Sequence, residues 1–108
     1  MAYAAQAAAE EGVDLAHRVL ADFAPVAFDE AIVGRVEAIA RRRGHRARRL
    51  PSGAGHDAQM LARMCPTGMV FVPSVGGLSH NVAEFTHDHD IEAGAGVLLE
   101  LMLELAEQ

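Results

Sequence analysis

The chain has 108 residues, 51% of them hydrophobic, and a formal net charge of −6 at pH 7. That length holds one domain with a modest core, and that hydrophobic share belongs to a globular rather than a disordered chain. The acidic balance argues against nucleic acid as a partner, and no apolar run reaches the roughly 18 residues of a membrane span.

Cys65 is the one cysteine. It forbids an intrachain disulfide and fits a reducing, cytoplasmic compartment. The first residues lack the basic n-region of a secretory signal. The nine basic residues are all arginine, which reads as coding bias and points to no function.

Residues 2–11 are alanine-rich and helix-compatible but lack a strong apolar stripe. Asp14 is placed to cap a short helix through Leu15, Val19 and Leu20, and Pro25 interrupts it. Asp29 is the N-cap expected for a helix over 30–43. There Ile32, Val33, Val36, Ile39 and Ala40 recur at three and four residues on one face. Gly44 is the expected C′ residue, after an arginine-rich last turn that suits the helix dipole. Residues 46–50 read as a short strand. Residues 56–64 read as a helix with Met60, Leu61 and Met64 turned inward, closed by Pro66. Residues 68–72, with their continuous Met-Val-Phe-Val run, read as a strand buried on both faces. Gly76 and Gly77 make a loop. Asp90 is the expected cap of a last helix over 91–106, with Ile91, Ala95, Leu98, Leu99, Met102, Leu105 and Ala106 as its buried stripe. The alternation predicts an α/β class with a parallel sheet.

Charge is unevenly distributed. Six arginines fall between Arg41 and Arg49, and seven acids lie from Glu84 onward. The arginines are either a solvated helix end or a phosphate or nucleic-acid contact. No aromatic side chains interleave with them, which weakens the second reading.

Two histidines stand in glycine-rich surroundings. His80 follows a Gly-Gly-Leu-Ser loop at the C-terminal end of the expected strand, where open α/β sheets bind ligands. Neutral imidazole is a common zinc ligand, and Glu84 is near enough in sequence to orient it. A loop histidine that merely caps backbone groups is the alternative. His56 follows Ser-Gly-Ala-Gly and opens the expected helix, where backbone N–H groups can receive an anion. Ser52 and Asp57 add an acceptor and a charge, and an ordinary capped glycine turn is the plainer reading. His87 and His89 flank Asp88 in a spacing that suits weak metal binding or a solvated helix start. Cys65 has no adjacent base and reads as a packed thiol. No Gly-x-Ser-x-Gly elbow is present for a serine nucleophile.

Five stretches occur in order: Leu-Pro-Ser-Gly-Ala-Gly-His-Asp-Ala (50–58), Met-Val-Phe-Val-Pro-Ser (69–74), Gly-Leu-Ser-His-Asn (77–81), Ala-Glu-Phe-Thr (83–86) and Asp-Ile-Glu-Ala-Gly (90–94). On these the chain resembles the end of the catalytic domain of the zinc-dependent amidohydrolases that act on N-carbamoyl amino acids, ureido acids and allantoate. That group lies within the dinuclear zinc aminoacylase and carboxypeptidase clan. The resemblance covers residues 29–108, while residues 1–28 match poorly. Val82 stands where a proline is usual and His89 where an acid is usual.

The resemblance implies a partial three-layer α/β sandwich, the C-terminal piece of a zinc-exopeptidase-like domain. It implies that His80 is a ligand of a two-ion zinc or manganese centre, and that Gly55 and His56 lie at the site of an N-carbamoyl or ureido substrate. The group's other ligands, its glutamate base and its lid domain belong to upstream motifs that these residues do not contain. One histidine cannot hold two ions that polarise a carbonyl and generate hydroxide. The expectation is a portion of a hydrolase, inactive alone, that needs an N-terminal complementary chain or a homodimer. The alternative is a non-catalytic α/β module for ligand binding or dimerisation.

Overall fold

The computed structural model describes residues 2–20 and 24–108. Its elements are α1 (Ala2–Glu11), α2 (Glu30–Arg42), α3 (Asp57–Leu61), a single 3₁₀ turn (Val75–Gly77) and α4 (Asp88–Ala106).

Helix α2 begins and ends where its local chemistry dictates. The Asp29 carboxylate accepts the Ile32 backbone N–H at 2.9 Å, satisfying one of the free donors of the first turn. At the other end Gly44 takes φ +84°. The Gly44 N–H donates to the Arg41 carbonyl, and the His45 N–H donates to the Ala40 carbonyl. These two bonds form a Schellman motif, which a glycine in the left-handed region makes without strain. The Asp29 N–H also donates to the Thr67 carbonyl at 3.0 Å, tying the start of α2 to the segment that precedes residues 68–72.

The core is the contact between α2 and α4. Ile39, Ala40, Val97 and Leu101 are buried there, with Ile32, Val36, Ala47, Val70 and Leu105 packed around them. The expected face of α2 is therefore the face that packs. Ion pairs staple the same two helices. Arg42 bonds Glu100 at 2.6 Å and Glu104 at 3.1 Å, and Arg43 bonds Glu100 at 3.3 Å. Arg35 lies 3.6 Å from Glu104. Rising numbers on α2 meet falling numbers on α4, so the helices run antiparallel. Arg49 reaches back to Glu30 and Glu37 of α2.

Helix α4 corrects two expectations. It starts at Asp88 with His87 as N-cap, so Asp90 sits inside the first turn. Its buried residues are Val97 and Leu101, whereas Ile91, Ala95, Leu98, Leu99, Met102 and Ala106 of the expected stripe are exposed. Only Leu105 of that stripe packs on the core. The helix is apolar nearly all round, a pattern proper to burial on several sides, and α2 covers only one of them.

No strand is present among the described residues. The expected α/β class and partial sandwich are thus not seen among the described residues. No backbone hydrogen bond joins 46–50 to 68–72 among the described residues. A strand exists only through a ladder with a neighbour, and neither segment has one. Burial over residues 68–72 does not alternate strictly: Gly68, Met69 and Val70 are half-buried, and Phe71 and Val72 are exposed. Val70 packs on the core, and Val72 closes on Gly94 of α4. Phe71 between them is 49% exposed. The helices thus cover the start of the expected strand more fully than its end.

Two shorter expectations also change. No helix forms over 13–20 among the described residues, so Asp14 caps nothing there. Helix α3 ends at Leu61, and Met60, Leu61 and Met64 are exposed, because nothing is packed against them.

Candidate functional site

The loop ahead of α3 presents His56. Its backbone is extended, φ −134° and ψ 147°, as an N-cap residue should be. Its N–H donates to Gln59 Oε1 at 3.0 Å, which is half of a capping box. The ring Nε2 lies 2.7 Å from Ser52 Oγ, and that oxygen also accepts the Ala54 N–H at 3.2 Å. The ring stands edge-on to Phe71, with centroids 5.7 Å apart. Residues 68–72 and the 52–57 loop thus meet through one aromatic contact. Helix α3 is a single short turn, too brief for the anion site expected from its N-terminus. Gly55 has no positive φ, and a side chain there would meet only Gln59 Oε1, at 3.8 Å.

His80 sits on a loop closed at its base. The Val75 N–H donates to the Phe85 carbonyl at 2.7 Å, the Glu84 N–H donates to the Asn81 carbonyl, and Asn81 Oδ1 accepts the Ala83 N–H at 2.8 Å. Gly76 and Gly77 take φ +67° and +68°, making the turn that launches the loop. His80 itself has φ +55°, the one non-glycine residue in that region among those described. Such a conformation is uncommon outside glycine, with histidine among the residues that tolerate it. The side chain is exposed. No hydrogen bond joins it to Glu84 among the described residues, so the expected orienting carboxylate is not in place.

His87 and His89 stack in near-parallel fashion with centroids 5.5 Å apart, and Phe85 stands edge-on to His87. His89 Nε2 is 3.5 Å from Asp90. Cys65 is an exposed thiol, not a packed one, with its sulfur 3.6 Å from the Leu61 carbonyl. Its segment borders an open hollow of about 370 Å³ lined by Asp29, Arg63 and Thr67. A second hollow, about 230 Å³ and mostly apolar, lies between Val70, Val72 and the Ile91, Gly94, Ala95 and Leu98 side of α4. Neither hollow includes His56 or His80 in its lining.

This donor set bears directly on the metal. Among the described residues no group of three or more histidine, cysteine, aspartate or glutamate side chains is arranged to hold an ion. A zinc centre takes three or four protein ligands. The described residues therefore do not by themselves fit a metal centre, and His80 could be at most one contributor. Ser52 and His56 are bonded to one another, but no carboxylate bonds the imidazole among the described residues. The third member that orients a nucleophile–base pair is not there. The arginine cluster is largely engaged. Arg41, Arg42, Arg43 and Arg49 all pair with glutamates. Hydrogen bonds that the Arg42 guanidinium donates to Glu100 and Glu104 hold it above its ordinary pKa.

The family pattern for peptidase family M20/M25/M40 matches residues 5–104. The chain is 44% identical over 96 residues to an N-carbamoyl-L-amino-acid amidohydrolase of Rhizobium meliloti, covering 89% of this chain and 23% of that protein. It is 42% identical over 82 residues to an allantoate amidohydrolase of Bacillus subtilis, covering 76% of this chain and 20% of that protein. It superposes on a crystal structure of an amidase of the hydantoinase/carbamoylase family from Burkholderia vietnamiensis with a TM-score of 0.83 and 48% identity. That match covers 95% of this chain and 25% of the solved one. The chain spans about a fifth to a quarter of the length of the curated relatives it matches. No helix among the described residues is long and apolar enough to cross a membrane. A pattern that takes in nearly every residue, together with close structural likeness to solved amidases, places this chain in peptidase family M20/M25/M40.

Proposed function

We infer that this chain supplies part of the active site of a cytoplasmic amidohydrolase that cleaves a linear amide C–N bond in an N-carbamoyl amino acid, ureido acid or allantoate-type substrate. The observation that carries this reading is the 44% identity to an N-carbamoyl-L-amino-acid amidohydrolase over 96 residues. An alignment of that length within 108 residues necessarily includes both histidine loops.

In this reading residues 29–108 are the catalytic-domain portion and residues 1–28 lead into it. His80 is one ligand of a two-ion zinc or manganese centre in the complete enzyme. The left-handed backbone of His80, on a loop closed by the Val75–Phe85 bond, supports that role. Strained residues held by their surroundings concentrate at functional sites. Gly55 and His56 meet the amino-acid end of the substrate. The fold has no local need of a glycine at position 55, and a missing side chain there gives a ligand access to the backbone. The remaining ligands and the general base come from outside these 108 residues, so the chain alone does not turn over substrate. The complement is an N-terminal chain or segment of the same family, with a homodimer as the other arrangement that would cover the open surface.

Supplying in trans the remaining three-quarters of an M20-type amidohydrolase, taken from a relative, tests this. Hydrolysis of an N-carbamoyl or ureido substrate should appear only when both parts and a divalent ion are present. His80→Ala should abolish it without loss of helical content. Turnover by the 108-residue chain alone, or full activity of the reconstituted His80→Ala protein, would overturn the reading.

A further inference from the structure

We propose that Ser52 is a positioning residue for His56, so that the recognition element of the 52–57 loop is the bonded Ser52–His56 pair and not the histidine alone. The proposal rests on the reading of His56 as a substrate-binding residue.

The imidazole is held by two contacts, and the backbone that carries it by a third. Ser52 Oγ bonds Nε2 at 2.7 Å, Phe71 stands edge-on to the ring at 5.7 Å, and Gln59 Oε1 accepts the His56 backbone N–H. The serine is itself restrained. Its oxygen also accepts the Ala54 N–H, a second contact that limits the rotation of the side chain. A hydroxyl bound at one ring nitrogen determines which nitrogen carries the proton and how the ring is aimed. A histidine without that partner samples both tautomers and several rotamers. No other side chain hydrogen-bonds the ring among the described residues. Asp57, the neighbouring acid, is the first residue of α3 and makes no described bond to the imidazole. The loop backbone beside the pair is unobstructed, since a side chain built at Gly53 would meet nothing within 4 Å. A ligand can therefore reach the pair without moving it.

The test compares Ser52→Ala and Ser52→Thr with the parent chain, bound to its complement and labelled with ¹⁵N. Long-range proton–nitrogen spectra read the tautomer and titration of each imidazole. In Ser52→Ala the His56 ring nitrogens should move toward the averaged values of the exposed His17, and Ser52→Thr should restore the parent positions. In the reconstituted enzyme Ser52→Ala should raise KM on the order of tenfold, the loss of one aligned polar contact, while kcat stays nearly constant. Unchanged His56 ring signals in Ser52→Ala would overturn the proposal. So would an unchanged KM. A shifted ring signal with a KM insensitive to His56→Ala would instead remove His56 from the substrate site, which sinks the functional reading while the contact itself survives.

Discussion

A side chain at Gly68 would place its first carbon 2.6 Å from Ile32 Cγ2, on a β-branched residue that packs against the core. The same addition at Gly55 meets nothing closer than 3.8 Å. The first glycine is needed by the fold, because α2 and residues 68–72 approach too closely for any other residue. The second is not. Gly68→Ala should therefore lower the unfolding free energy by about 1–3 kcal/mol, the usual cost of forcing an extra carbon into a packed contact. Gly55→Ala should leave thermal unfolding unchanged and reduce only substrate binding in the reconstituted enzyme. Equal thermal midpoints for the two variants would contradict this division. At this scale the sequence singled out the glycine-flanked histidines. It did not show how. The positive φ of His80 has no motif of its own, and the bond from Ser52 to His56 depends on a loop path that spacing does not reveal.

Between elements, the pairing of α2 with α4 combines a small apolar contact with a rim of charge. The hydrogen bond from Arg42, with a smaller one from Arg43, holds the Glu100 carboxyl below its ordinary pKa despite partial desolvation. A carboxylate depressed in this way adds stability that is fully present above the unfolded value, about 4.3 for glutamate. That stability is lost as pH falls through the lower folded value. The thermal midpoint should therefore drop as the solution is acidified below about pH 4, and Glu100→Gln should remove part of that acid dependence. Salt should weaken the same contribution at neutral pH, since the pairs lie at the surface. A midpoint equally acid-sensitive in parent and Glu100→Gln protein would exclude Glu100 as its source. Helix α2 was legible from the sequence because its determinants are local: an aspartate before it, a glycine after it, and apolar residues at helical spacing. The strands were not realised because strand identity is a property of pairs. The buried face of α4 was misassigned because apolar residues line most of that helix, so spacing alone does not say which side packs. The arginine run reads as a dipole-suited helix end until the fold brings glutamates of α4 across from it, a contact of long sequence separation.

The whole molecule exposes more than a self-sufficient domain does. Its accessible surface is 8801 Å², whereas a folded monomer of 11.5 kDa presents about 5,800 Å². Its radius of gyration is 19.1 Å, against about 13 Å for a compact chain of this length. Leu99 and Met102 on α4 remain 60% and 59% exposed, beside the apolar hollow against Val70 and Val72. Apolar area on that scale marks an association surface or an aggregation hazard. The isolated chain should bind a hydrophobic dye, sediment as dimers or larger species, and become monodisperse when its complement is added. A stable monomer that excludes the dye would contradict this. The sequence exposed half of this picture through its family resemblance. The other half, which faces lie bare, required knowing where the two helices meet.

On the reading proposed for His80, the bond from the Val75 N–H to the Phe85 carbonyl has a consequence for binding. Fixing a residue's backbone costs on the order of 1–2 kcal/mol in conformational entropy. A loop tethered at its feet, with an inner turn at Asn81, meets much of that cost when the chain folds. The backbone at His80 would then meet a ligand already ordered, with less of the binding energy spent on immobilising the loop.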